Sequence, residues 1–111
     1  ESIEKCIVKT KQKETTYSVG KIKEVVAGYY GFPITSLEGD KKSDPESVAK
    51  YISYYISYLM SKKSAVTIAK YHNSKHPNSV YYGLKRAKDL ININGIIKND
   101  VDFITQLIKS S

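Results

Sequence analysis

The sequence predicts an all-α fold, a compact helical bundle, and three observations predict it. Apolar residues recur at helical spacing in five separate stretches of the 111 residues. No segment alternates apolar and polar residues as a half-buried strand does. Helix-start and helix-stop residues bracket the stretches where capping chemistry requires them.

The first helix is capped by Ser18 and runs to about Tyr30, with Ile22, Val25, Val26 and Tyr29 on its buried face. Gly31 supplies the stop and Pro33 breaks the chain. A short helical turn around Thr35 to Leu37 precedes the loop Glu38-Gly39-Asp40-Lys41-Lys42-Ser43. Asp44 then suits an N-cap, with Pro45 at the first helical position and Glu46 at the positive end of the dipole. That helix should reach about Ser61. Val48, Ile52, Tyr55, Ile56 and Leu59 form its core stripe, and Tyr51, Tyr54 and Tyr58 form a second stripe beside it, with Tyr54 on the far flank. Ser64 caps a short helix to about Tyr71, buried through Val66 and Ile68. After the polar turn His72-Asn73-Ser74-Lys75, a long helix starts near Pro77 and ends at Gly95, burying Val80, Leu84, Ala87 and Ile91. A last helix, capped by Asn99 or Asp100, buries Phe103, Ile104, Leu107 and Ile108. Residues 1–17 read as a polar tail or linker, and residues 18–111 as one domain.

Charge is concentrated. The formal net charge is +7, yet residues 1–40 carry six lysines against six acids. Residues 41–88 carry ten Lys or Arg against two acids. A basic region confined to one segment suits a polyanion such as nucleic acid. A bias toward lysine explains the amount but not the confinement. The single cysteine, Cys6, excludes an internal disulfide and a Cys-based zinc site. No apolar run is long enough for a membrane span. Lys5, Lys9, Lys11 and Lys13 interrupt the first stretch, which does not read as a signal peptide. The chain opens on Glu1 rather than Met, which suits a piece of a longer protein.

A short helix, a turn of about four residues and a longer helix make a helix-turn-helix, here spanning roughly Ser64 to Lys88. The second helix presents Asn78, Tyr82 and Lys85 outward, with Lys75, Ser79 and Arg86 on its flank. Such helices read base edges near their N-terminal end, where Asn matches adenine and Lys or Arg matches guanine or phosphate. Double-stranded DNA is the partner this pattern predicts. Phosphate contacts are expected from Lys41, Lys42, Lys50, Lys70 and Arg86, and base contacts from Lys75, Asn78, Ser79, Tyr82 and Lys85.

Residues 22–87 resemble, without a gap, the C-terminal duplex-binding domain (domain IV) of the bacterial replication initiator DnaA. Val25-Val26-Ala27-Gly28-Tyr29-Tyr30 is similar to the family's first helix, which commonly ends in a tyrosine pair. Lys41-Lys42 falls where that family has its basic loop. Tyr71-His72-Asn73-Ser74-Lys75-His76-Pro77-Asn78-Ser79-Val80 falls on its signature, typically Phe-Gly-Gly-Arg-Asp-His-Ser/Thr-Thr-Val. The resemblance implies a Trp-repressor-like helix-turn-helix, sequence-preferring duplex binding in replication initiation or its regulation, and a cytoplasmic, nucleoid-associated protein. The turn glycines are replaced by His72 or Asn73 and by Ser74, and the Asp-His pair by His76-Pro77. The family's own site preference therefore need not carry over. Two alternatives stand beside this reading: a stand-alone transcriptional regulator, and a helical protein-interaction module that has lost specific DNA binding.

Other chemistry is weaker in the sequence. His72 and His76 have the i, i+4 spacing of a metal pair, but they straddle a turn without a nearby Cys or Glu, and a solvated or phosphate-contacting histidine is the expectation. The tyrosine stripe could stack on unpaired bases, but a core-edge role is favoured. Asp40, Asp44 and Glu46 read as loop and helix-start charges. There is no phosphate-binding Gly-x-x-x-x-Gly-Lys-Ser/Thr loop and no nucleophile–base pair, so no catalytic residue, cofactor or metal is expected.

Overall fold

The computed structural model describes residues 16–39 and 44–110. Five α-helices follow in order: α1 (Val19–Tyr30), α2 (Asp44–Ser61), α3 (Ala65–Tyr71), α4 (Pro77–Ile93) and α5 (Gly95–Ser110). A 3-10 turn, Ile34–Leu37, separates α1 from α2, and no strand occurs among the described residues. The all-α helical bundle is therefore the observed fold. Among the described residues no helix is long and apolar enough to cross a membrane.

Local chemistry accounts for most helix ends. Ser18 and Ser64 sit in extended backbone and accept from the N–H of Lys21 and Thr67, satisfying donors the first turn leaves free. Gly31 takes φ 78°, and Phe32 donates to the carbonyl of Ala27 at 2.9 Å, which closes the end of α1. Residues 1–15, most of the expected tail, lie outside the described residues, as does the side chain of Asp44. Tyr17, the last residue of the expected tail, contacts the bundle. Its N–H donates to the Met60 carbonyl at 3.2 Å, and its ring packs on the core.

The joint between α4 and α5 differs from the sequence expectation. Gly95 does not stop α4; it is the first residue of α5. Asn94 serves both helices. Its N–H donates to the Leu90 carbonyl, and its side-chain oxygen accepts from Ile96 and Ile97 at 3.0 and 3.3 Å. Asn99 and Asp100 thus lie inside α5 rather than at its start. Asp100 instead accepts the hydroxyls of Tyr29 and Tyr30 at 2.6 and 3.0 Å, tying the end of α1 to α5. That tie draws Tyr29 to the surface, where it packs on the exposed ring of Phe103. The buried residues of α5 are Val101, Ile104 and Ile108.

Helix α2 is packed on more than one side, because it lies between two apolar clusters. Ala49, Ile52 and Ile56 join Ile22, Val26, Leu37 and the α5 residues. Tyr54 joins Val19, Ala65, Ile68, Ala69, Val80 and Leu84. The tyrosine stripe therefore splits: Tyr54 is fully buried, Tyr51 is half-buried and Tyr58 is exposed. Leu59 and Val66, expected in the core, are exposed. Serines at positions 53, 57 and 61 of α2 are buried as well.

The crossing of α2 and α4 depends on Gly83. A Cβ there would overlap the Tyr54 ring and stand 3.1 Å from Cδ1 of Tyr51. Overpacking of a rigid ring costs roughly 1–3 kcal/mol, against about 1 kcal/mol gained from the better helical preference of Ala. Gly83→Ala should therefore lower the thermal midpoint, and a raised midpoint would show that the crossing has room to spare.

Candidate nucleic-acid interface

The turn between α3 and α4 sets the direction of α4, and buried polar groups fix that turn. His72 is fully buried, unlike the solvated histidine the sequence suggested. Its Nδ1 lies 2.8 Å from the Ile68 carbonyl, so that nitrogen carries the proton and donates. Its Nε2 lies 2.7 Å from the Ser53 hydroxyl, which must then donate. Burial, more than any neighbouring charge, pushes the His72 pKa down to about 4. The neutral ring packs edge-on against Tyr54 at 4.6 Å, and the Tyr54 hydroxyl pairs with Ser74 at 2.9 Å. Asn73 takes φ 53°, a left-handed conformation that Asn tolerates better than most residues.

A second set of contacts ties the turn to α1 and to the loop before α2. The buried Lys23 ammonium donates to Glu38 at 2.6 Å and to the Tyr71 carbonyl at 2.5 Å. Glu38 also accepts from the Asn73 amide at 3.0 Å. The bond from Lys23 is the main cause holding the Glu38 carboxyl below its usual range. Gly39 donates to the His72 carbonyl at 3.0 Å. The loop that leads into Lys41 and Lys42 is thus anchored directly to the turn, although those two lysines lie outside the described residues.

Lys50 departs from the sequence expectation. The sequence predicts a phosphate contact, but Lys50 is 5% exposed and donates to the Gly39 carbonyl at 3.0 Å. Its ammonium sits 5.9 Å from the centre of the Tyr54 ring. It braces the loop instead of facing solvent, because its ammonium donates to that carbonyl.

The other expected residues are placed along α3, the turn and α4. Lys70, Lys75, Asn78, Tyr82, Lys85 and Arg86 are exposed, and Ser79 is half-buried. Val80, Gly83, Leu84 and Ala87 are buried on the opposite face of α4. Tyr82 stands edge-on to Tyr51 at 5.8 Å, so its ring has a fixed support. Asn78, Ser79 and Tyr82 line one shallow groove with Lys50 and Tyr51. Tyr51, Tyr82 and Arg86 line the next one along. His76 is exposed ahead of Pro77, whose position at the helix start needs no N–H. His72 and His76 therefore do not form a pair on one helix face, and among the described residues no group of three His, Cys, Asp or Glu is placed to hold a metal.

Sequence reasoning missed the residues that hold the turn: Lys23, Glu38, Ser53, His72 and Ser74. Only His72 left a local signal, since it follows Ile68 at i+4, within the apolar spacing of α3. The chain matches no protein-family model, and no curated protein matches its sequence.

Proposed function

We propose that this domain binds double-stranded DNA with a sequence preference, placing the N-terminal half of α4 in the major groove. The observation that carries this reading is the character of α4. Its inner face is locked by Val80, Gly83, Leu84 and Ala87, while Asn78, Tyr82 and Lys85 stand exposed along its outer side and Lys75 is exposed in the turn just before it. A major groove about 12 Å wide admits one helix in this way. Lys70 and Arg86 are the phosphate contacts from the helices; Lys41 and Lys42, proposed for the same role, lie outside the described residues. Resemblance to the DnaA C-terminal domain adds the role, replication initiation or its regulation. Asn73 and Ser74 then stand for the family's turn glycines, with the left-handed angle taken by Asn73.

Selection from a pool of random duplexes, read out by sequencing, tests the proposal. An enriched motif supports it, and retention without enrichment would leave only charge. Asn78→Ala is the sharper probe, because its amide can donate and accept together as adenine requires. It should cost about 1–3 kcal/mol on the enriched site and almost nothing on random duplex. The fold should survive, since Asn78 is exposed. An unchanged ratio of the two affinities would remove α4 from base reading.

A further inference from the structure

A second basic and aromatic surface lies on the other flank of α4. Two shallow grooves meet at the exposed ring of Tyr58. One is lined by Tyr58, Tyr81, Leu84, Lys85, Lys88 and Asp89. The other is lined by Tyr58, Lys62 and Lys63 at the connection from α2 to α3. Lys62 holds a left-handed backbone, φ 62°, which turns the chain between those helices. Four lysines thus surround two tyrosines that are 49% and 59% exposed, and one of the lysines, Lys85, also borders the duplex-reading side of α4. Tyr81 and Lys88 are seven residues apart and share one flank of α4. Ser79 and Arg86, also seven apart, share the opposite flank.

We propose that this surface binds single-stranded nucleic acid, its backbone following the lysines and its bases stacking on Tyr58 and Tyr81. Charge selects a polyanion. The rings select the unpaired form, since every free base has a face that can stack on an aromatic side chain. In a duplex those faces are already covered by neighbouring base pairs. The lysines alone would serve either form, so the tyrosines decide the assignment. The domain then carries two nucleic-acid surfaces, one for paired and one for unpaired strands.

The test uses the whole chain and a labelled oligothymidine, which cannot pair with itself, at low salt. The wild type should bind it, with affinity falling as salt rises. Tyr58→Ala and Tyr81→Ala should each weaken that binding by roughly 5- to 150-fold. Tyr58→Phe and Tyr81→Phe should restore it, because stacking needs the ring and not the hydroxyl. None of the four should alter binding to the enriched duplex. Absence of oligothymidine binding by the wild type would overturn the proposal. So would failure of the Phe variants to restore it, or an equal loss of duplex binding in the Ala variants, which would assign the flank to the duplex. The oligothymidine measurement reads this surface whether or not α4 reads base pairs.

Discussion

Replacing Tyr54 with Ala is expected to remove about 3–5 kcal/mol of stability, the range for deleting a buried large aromatic side chain. The ring is fully buried between α2, α3 and α4, packed on Gly83 and edge-on to His72. Its loss empties the space that Gly83 leaves open, and α4 cannot settle inward without moving Val80 and Leu84. The Ser74 hydroxyl, itself buried, also loses its bond to the Tyr54 hydroxyl. Tyr54→Phe separates the two effects and should cost about 1 kcal/mol, the usual worth of one hydrogen bond. Ile52→Ala, in the neighbouring cluster, should fall in the range of about 2–5 kcal/mol. Urea unfolding of the three variants checks the ranking. A Tyr54→Ala cost under 1 kcal/mol would show that the second cluster does not hold α4.

Stability should also fall by about 3 kcal/mol as pH drops from near 6.5 to about 4, through the burial of neutral His72. The folded pKa lies below the unfolded one, so within that window the unfolded chain binds the proton and the native chain does not. The contribution is complete above pH 6.5 and is lost as pH falls through the folded value. Burial is the main cause, and a charged ring would break the donation from Ser53 to Nε2 while sitting near Lys23 and Lys50. Glu38 acts in the same direction but lower on the scale, since its folded pKa is depressed below an ordinary 4.5. His72→Gln should be less stable at neutral pH and nearly flat between pH 6.5 and 5. Denaturation curves across this range decide the matter. A wild-type slope equal to that of His72→Gln would mean that the ring is not held neutral.

Much of the fold was legible because helix ends are local. Ser18 with Lys21, Ser64 with Thr67, and Gly31 with its left-handed backbone each express a preference within four residues. The failures share a different cause. Tyr54 reads as a flank residue until α4 is known to cross there at a glycine. Gly95 reads as a stop because Asn94, which precedes it, could cap one helix or two. Asp100 has the chemistry of a cap, but Tyr29 and Tyr30, some seventy positions earlier, claim its oxygens. The candidate interface divides the same way. Lys75, Asn78, Tyr82, Lys85 and Arg86 follow from helical phase and charge. Lys50 does not, because the carbonyl of Gly39 draws it inward.

Asn94 leaves no slack between α4 and α5, and this bears on how the domain can change in length. Each residue of an α-helix advances the side chains by about 100°. One residue inserted at this joint would swing Val101, Ile104 and Ile108 off the core and carry Asp100 away from its two tyrosines. A deletion would do the same in the other sense. Length variants of this domain that still fold should therefore leave the α4–α5 joint untouched.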